Sequence, residues 1–123
     1  MPAAFLLHEE TETVWEIPTG KTRVYLGKRN QKIKIDLDFS ELPDSSIISR
    51  VHAIVHIERD GFYLEDVGSL NGTSINGELL PEGRIRLHSG DRITFGSYQQ
   101  INLLFEIESA EETLYHFQSL ADE

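Results

Sequence analysis

Turn signals recur along this chain at short, regular intervals, and they leave no room for long helices until the last fifteen residues. Pro18-Thr19-Gly20, Asp60-Gly61, Asn76-Gly77 and Ser89-Gly90 separate runs rich in β-branched and aromatic residues. That punctuation reads as an all-β fold, an antiparallel β-sandwich or barrel built of short strands. Candidate strands fall at 3–8, 14–17, 23–27, 33–37, 52–59, 62–66, 73–75, 78–80, 85–87, 91–95 and 101–107. The clearest hairpin joins 52–59 to 62–66. Along its first strand Ala53, Val55 and Ile57 face one way and Ile54, His56 and Glu58 the other. Asp60-Gly61 between them suits a type I′ turn, whose two central residues need positive φ. Residues 38–49 form the longest irregular segment, and long loops in compact domains are often functional.

With 123 residues, 39% of them hydrophobic, the chain can build one core without covalent staples. The sandwich is expected to occupy residues 1–108. Residues 109–123 form an acidic tail in which Ser109 and Glu112 make a capping box and Leu114, Phe117 and Ala121 share a face, suiting a short helix or a linker. There is no cysteine, so disulfides and thiolate metal sites are excluded. No apolar run approaches the roughly 18 residues of a membrane span, and the amino terminus lacks a signal-peptide pattern. A soluble, cytoplasmic protein that does not act at membranes is the expectation.

The formal net charge is −10. That argues against sequence-independent binding to nucleic acid, which relies on Lys and Arg neutralising phosphates. Yet residues 21–34 hold six of the eleven Lys and Arg and no acid. One basic window on an acidic protein can form a local anion site while repelling bulk polyanions. It can also be a solvated edge that discourages strand-to-strand association.

Four loop motifs stand in a fixed order: Leu26-Gly27-Lys28, Ser49-Arg50-Val51-His52, Asp66-Val67-Gly68-Ser69-Leu70-Asn71-Gly72-Thr73, and Gly90-Asp91-Arg92-Ile93-Thr94-Phe95-Gly96. Asn76-Gly77 follows Asn71-Gly72-Thr73 at the expected interval. From about Val24 to Phe105 the series resembles the forkhead-associated (FHA) domain, a β-sandwich that binds phosphothreonine peptides. The resemblance implies a non-enzymatic signalling module without cofactor or metal. Its partner would be a phosphothreonine-containing protein or peptide, the product of a Ser/Thr kinase.

Residue by residue, the resemblance implies that the Ser49 hydroxyl donates to a phosphate oxygen and that Asn71 holds the peptide backbone. An amide offers both donor and acceptor, so it can grip an extended chain of any sequence. Lys28 would contact the phosphate and Arg50, beside Ser49, would assist. Gly27, His52 and Gly72 would support the binding loops. The loop Ser97-Tyr98-Gln99-Gln100 lies where the family selects residues after the phosphothreonine, and its lack of charge implies polar or apolar selection.

Two positions depart from the family pattern. Lys28 stands where the family usually has Arg, trading a planar two-pronged fork for a flexible point charge. Arg29 is a neighbouring substitute, although consecutive residues tend to aim differently. Leu70 stands where Ser or Thr often adds a hydroxyl donor. Both changes keep open a second reading, a phosphate-independent protein-interaction module. An enzyme with Ser49 as nucleophile, His52 as base and Asp66 as orienter is a weaker third reading, since no strand–elbow–helix surrounds the Ser. Asp36, Asp38, Glu41 and Asp44 lack the central Gly and final bidentate Glu of a calcium loop. The histidines show no metal-ligand spacing.

Overall fold

The computed structural model describes residues 2–108. The capping box and the helical tail expected over 109–123 lie outside them. Eleven strands run in chain order: β1 (Ala4–His8), β2 (Thr13–Glu16), β3 (Arg23–Gly27), β4 (Leu37–Asp38), β5 (Val51–Glu58), β6 (Gly61–Asp66), β7 (Thr73–Ile75), β8 (Glu78–Leu79), β9 (Ile85–Leu87), β10 (Arg92–Phe95) and β11 (Ile101–Ile107). They form a six-stranded sheet, β2-β1-β11-β10-β7-β8, and a five-stranded sheet, β4-β3-β5-β6-β9. No helix among the described residues is long and apolar enough to cross a membrane.

The core lies between the sheets. Leu6, Ile93, Leu103 and Phe105 of one meet Val24, Leu26, Ala53, Val55, Phe62 and Leu64 of the other, all essentially without solvent contact. Every second residue of these strands is apolar, so one face of each sheet is driven inward and the register is set. Aromatic rings knit the layers: Phe62 and Phe105 meet edge-on at 5.6 Å, and Phe39 lies 4.7 Å from Trp15 and 5.7 Å from Phe95.

Three expectations change in ways that matter for the loops. The strand expected at 33–37 shrinks to Leu37–Asp38, which pairs with β3 in parallel. The reason is Asn30, whose side-chain oxygen accepts the Lys32 and Ile33 N–H groups while its amide donates to Lys28 O. That local turn competes with a sheet ladder for the same backbone donors. The Asp60-Gly61 turn is not primed, because the residues between paired Glu58 and Gly61 are Arg59 and Asp60, and neither has positive φ. The primed geometry occurs instead at Asn76 and Gly77, with φ of 51° and 85° between paired Ile75 and Glu78.

Residues 38–49 form a packed cap rather than a free loop. Phe39, Leu42, Ile47 and Ile48 are all buried in the core. A short 3-10 turn at Ser45–Ile47 closes the segment after Asp44, which takes φ of 64°. Four apolar anchors in ten residues hold the chain down at one end of the sandwich. Ser49 and Arg50 emerge directly from the last of them.

Candidate functional site

Ser49 lies between the two sheets' loops, and two hydrogen bonds hold it. Its backbone N–H donates to His52 Nδ1 at 3.1 Å, and its Oγ accepts the Leu70 N–H at 2.9 Å. Because Nδ1 accepts, the imidazole proton sits on Nε2, which donates to Gly72 O at 2.9 Å. His52 is therefore a strut between the loop before β5 and the loop before β7. Burial pushes its pKa below the ordinary 6.5, only partly offset by the Gly72 carbonyl and the Asp66 charge, so the neutral form is favoured.

How His52 reaches inward is a detail that alternation conceals. Ile54, His56 and Glu58 take the opposite face from Ala53 and Val55, so period 2 would send His52 outward. Instead Leu26 pairs with Ala53 and Gly27 with Val51, leaving one extra residue on β5. This bulge re-aims His52 into the interior, where it is fully buried and its ring lies 4.3 Å from Phe95.

Gly27 permits the close approach of β3 that the bulge demands. A Cβ there would lie 2.1 Å from Arg50 O and 3.0 Å from Ser49 O. With no side chain in the way, Lys28 N–H donates to Arg50 O at 3.0 Å. Lys28 and Arg50 are thus neighbours at one strand end. Arg29 is drawn off to Asp38, which accepts its N–H at 3.0 Å and lies 3.9 Å from its guanidinium. It is not aimed with Lys28.

Asn71 reaches across to the cap, donating from Nδ2 to Ile47 O at 2.8 Å. One amide hydrogen and the side-chain oxygen are not used in that bond. Gly72, at φ 86°, occupies backbone space that disfavours any β-carbon, and its carbonyl also accepts the Gly96 N–H at 3.0 Å. Gly96 sits so close to Gln99 O and Ile47 that the 97–100 loop stands beside the same cap. All the candidate residues, Gly27, Lys28, Ser49, Arg50, His52, Asn71 and Gly72, gather at one end of the sandwich.

Asp66 organises the 66–73 loop and went unrecognised in that role from sequence. Its Oδ1 accepts the Gly68 and Ser69 N–H groups at 2.9 Å, and its Oδ2 accepts the Ser69 hydroxyl and, at 2.7 Å, the Thr73 hydroxyl. Ser69 Oγ then accepts Gly72 N–H at 3.0 Å. Burial pushes the carboxyl up, but these bonds, led by Ser69, outweigh it and hold Asp66 below the ordinary 3.8. The available signal was an Asp followed two and three residues later by free N–H groups, the Asx-turn pattern.

The hydrolytic triad does not assemble. His52 binds the Ser49 backbone rather than its hydroxyl, and its other nitrogen goes to Gly72 O, not to Asp66. Among the described residues no cluster of three or more His, Asp or Glu is arranged to hold a metal. Asp36 and Asp38 are engaged instead with Lys21 and with Arg29 and Ser40.

The matched family model is the FHA domain, over residues 24–96. Protein FraH of a Nostoc species is 44% identical over 105 residues, covering 85% of this chain and 36% of FraH. The glycogen accumulation regulator GarA of Mycobacterium tuberculosis is 39% identical over 67 residues, half of this chain and 40% of GarA. The chain thus spans well under half the length of these relatives. Among solved structures, the N-terminal FHA domain of S. cerevisiae Rad53p, in complex with a phosphothreonine peptide, superposes with a TM-score of 0.69. It covers 95% of this chain and 98% of that one at 19% identity, a likeness of fold. The loop motifs, the sandwich and the matched family model agree, and the chain belongs to the FHA domain family.

Proposed function

We propose that this domain binds phosphothreonine-containing segments of partner proteins that are substrates of a Ser/Thr kinase. The observation that carries the reading is the state of the Ser49 hydroxyl. Its oxygen already accepts the Leu70 N–H, so its own hydrogen is free to donate outward. Lys28 and Arg50 stand beside it, and neither enters any ion pair among the described residues. In a protein of net charge −10, two unneutralised cations beside a preset donor fit a ligand carrying ~−1.5 to −2 charges.

In this reading Ser49 and Lys28 hold the phosphate, Arg50 assists, and Asn71 grips the peptide backbone with the amide groups not spent on Ile47. Gly27, His52 and Gly72 keep the three loops in place. The complex of the Rad53p domain with a phosphothreonine peptide supports the reading by likeness of fold. The test is calorimetric titration with one peptide in Thr, phospho-Thr and phospho-Ser forms. Tight binding of phospho-Thr alone is expected; equal binding of Thr and phospho-Thr would overturn it.

One observation favours a phosphate-independent docking module instead. Leu70, where the family often carries a hydroxyl, is 88% exposed at the rim of the site. Under that reading the three peptides bind alike.

A further inference from the structure

The ground around Ser49 differs sharply on its two sides. On one side β3 ends at Gly27, the Lys28 N–H just beyond it is tied to Arg50 O, and the following loop folds back through the Asn30 turn. Asn30 holds Lys32 in that turn by accepting its N–H at 3.0 Å, so Lys28 and Lys32 belong to one compact unit. Lys32 is exposed, and like Lys28 and Arg50 it enters no ion pair among the described residues. Elsewhere Lys21, Arg84, Arg86 and Arg92 each meet a carboxylate, while Arg23, Lys34 and Arg59 enter no ion pair among the described residues but belong to neither the Ser49 loop nor the Asn30 turn. Even Arg29, inside the same loop, is drawn to Asp38.

On the other side Ser49 Oγ is tied to the Leu70 N–H. Leu70 and Tyr98 are 88% and 100% exposed, the two most exposed large hydrophobic residues among those described. Their loops meet where Gly96 N–H donates to Gly72 O. Leu70 is held at the site end by its N–H bond to Ser49 Oγ, and both side chains stand in solvent, free to meet a ligand.

We propose that the recognised segment is correspondingly asymmetric, with acidic residues on the phosphothreonine flank that crosses Lys28 and Lys32 and an apolar residue on the flank that meets Leu70 and Tyr98. This rests on the phosphothreonine reading and names the partner class for the same site. Charge complementarity selects the acidic flank, because a protein of net charge −10 disfavours an acidic peptide except where cations are concentrated. Each exposed charge pair contributes roughly two- to fivefold in affinity at low salt. Contact with the leucine contributes roughly three- to tenfold and does not depend on salt.

The experiment titrates the protein with phosphothreonine peptides of one core sequence and five flank designs: neutral, acidic before, acidic after, and acidic on one side with leucine on the other in each of the two orders. Titrations run at about 0.05 M and about 0.5 M salt, since screening shortens the reach of charges from beyond 10 Å to a few ångströms. Acids on one flank only are expected to tighten binding, with the advantage lost at high salt and in Lys32→Glu. Leucine on the opposite flank is expected to keep its advantage at high salt and to lose it in Leu70→Ser. Thermal melting of both variants confirms that the fold persists. Equal binding of neutral and acidic peptides, or equal gain on either flank, overturns the asymmetry and leaves the phosphate reading intact. If no phosphopeptide binds, or an unphosphorylated acidic peptide binds as well, the phosphate reading falls and the asymmetry with it.

Discussion

The Leu70 amide donates to the Ser49 hydroxyl at 2.9 Å, joining the loop that leads into one sheet to the loop that leads into the other. The side chain of Leu70 points away into solvent while its backbone performs this task. A residue that departs from the family in its side chain therefore still supports the site through its main chain. What its side chain lacks is the hydroxyl that the family often carries at this position.

Replacing Ser49 with Ala removes the outward donor and leaves the Leu70 amide to water. A hydrogen bond to a charged acceptor is worth ~1.5–3 kcal/mol, so phosphopeptide affinity is expected to fall about tenfold or more. Ser49→Thr keeps the hydroxyl and should retain more of it. Calorimetry measures the affinity, and an unchanged melting temperature separates the effect from unfolding.

Lys28→Ala should likewise weaken phosphopeptide binding about tenfold, since a charge-assisted contact is lost. Lys28→Arg should tighten it, because the guanidinium fork can engage two phosphate oxygens at once. Titration of both variants with the same peptide checks the order Arg, Lys, Ala.

Gly27→Ala places a methyl group 2.1 Å from Arg50 O. Backbone must shift, and overpacking of this kind costs ~1–3 kcal/mol or more. The expected result is a lower midpoint in urea. Phosphopeptide affinity should fall with it, because Lys28 and Arg50 separate as the strand ends move apart.

His52 predicts a pH dependence of stability. Its folded pKa lies below the ordinary 6.5, so below pH 6.5 the unfolded chain binds the proton more readily than the folded one. Its contribution is complete above 6.5 and is lost as pH falls from there towards the folded value. Urea midpoints measured from pH 7.5 downwards should decline through this window, and His52→Gln should flatten that part of the curve. Asp66, also depressed, acts only lower, as pH drops beneath 3.8.

Asp66→Asn weakens acceptance at four donors at once: the Gly68 and Ser69 amides and the Ser69 and Thr73 hydroxyls. Amide exchange at Gly68 and Ser69 should accelerate about tenfold or more, as each bond to a charged acceptor contributes ~1.5–3 kcal/mol. Exchange in β5 should change little.

The succession of short strands along the chain and the inward face shared by Ala53 and Val55 were legible in the sequence alone, whereas the gathering of loops 27–28, 49–50 and 71–72 was implied only by the resemblance to the FHA family. Period-2 apolar patterning and Gly-containing turns are local signals, and they act over a few residues. The remaining features depend on contacts between segments far apart. The bulge that turns His52 inward exists because β3 and β5 fit only where Gly27 has no side chain. The parallel β4 exists because the Asn30 turn uses amides that a longer strand would need. The Ser49 hydroxyl is aimed by an amide twenty-one residues downstream, a distance that no spacing rule along the chain specifies.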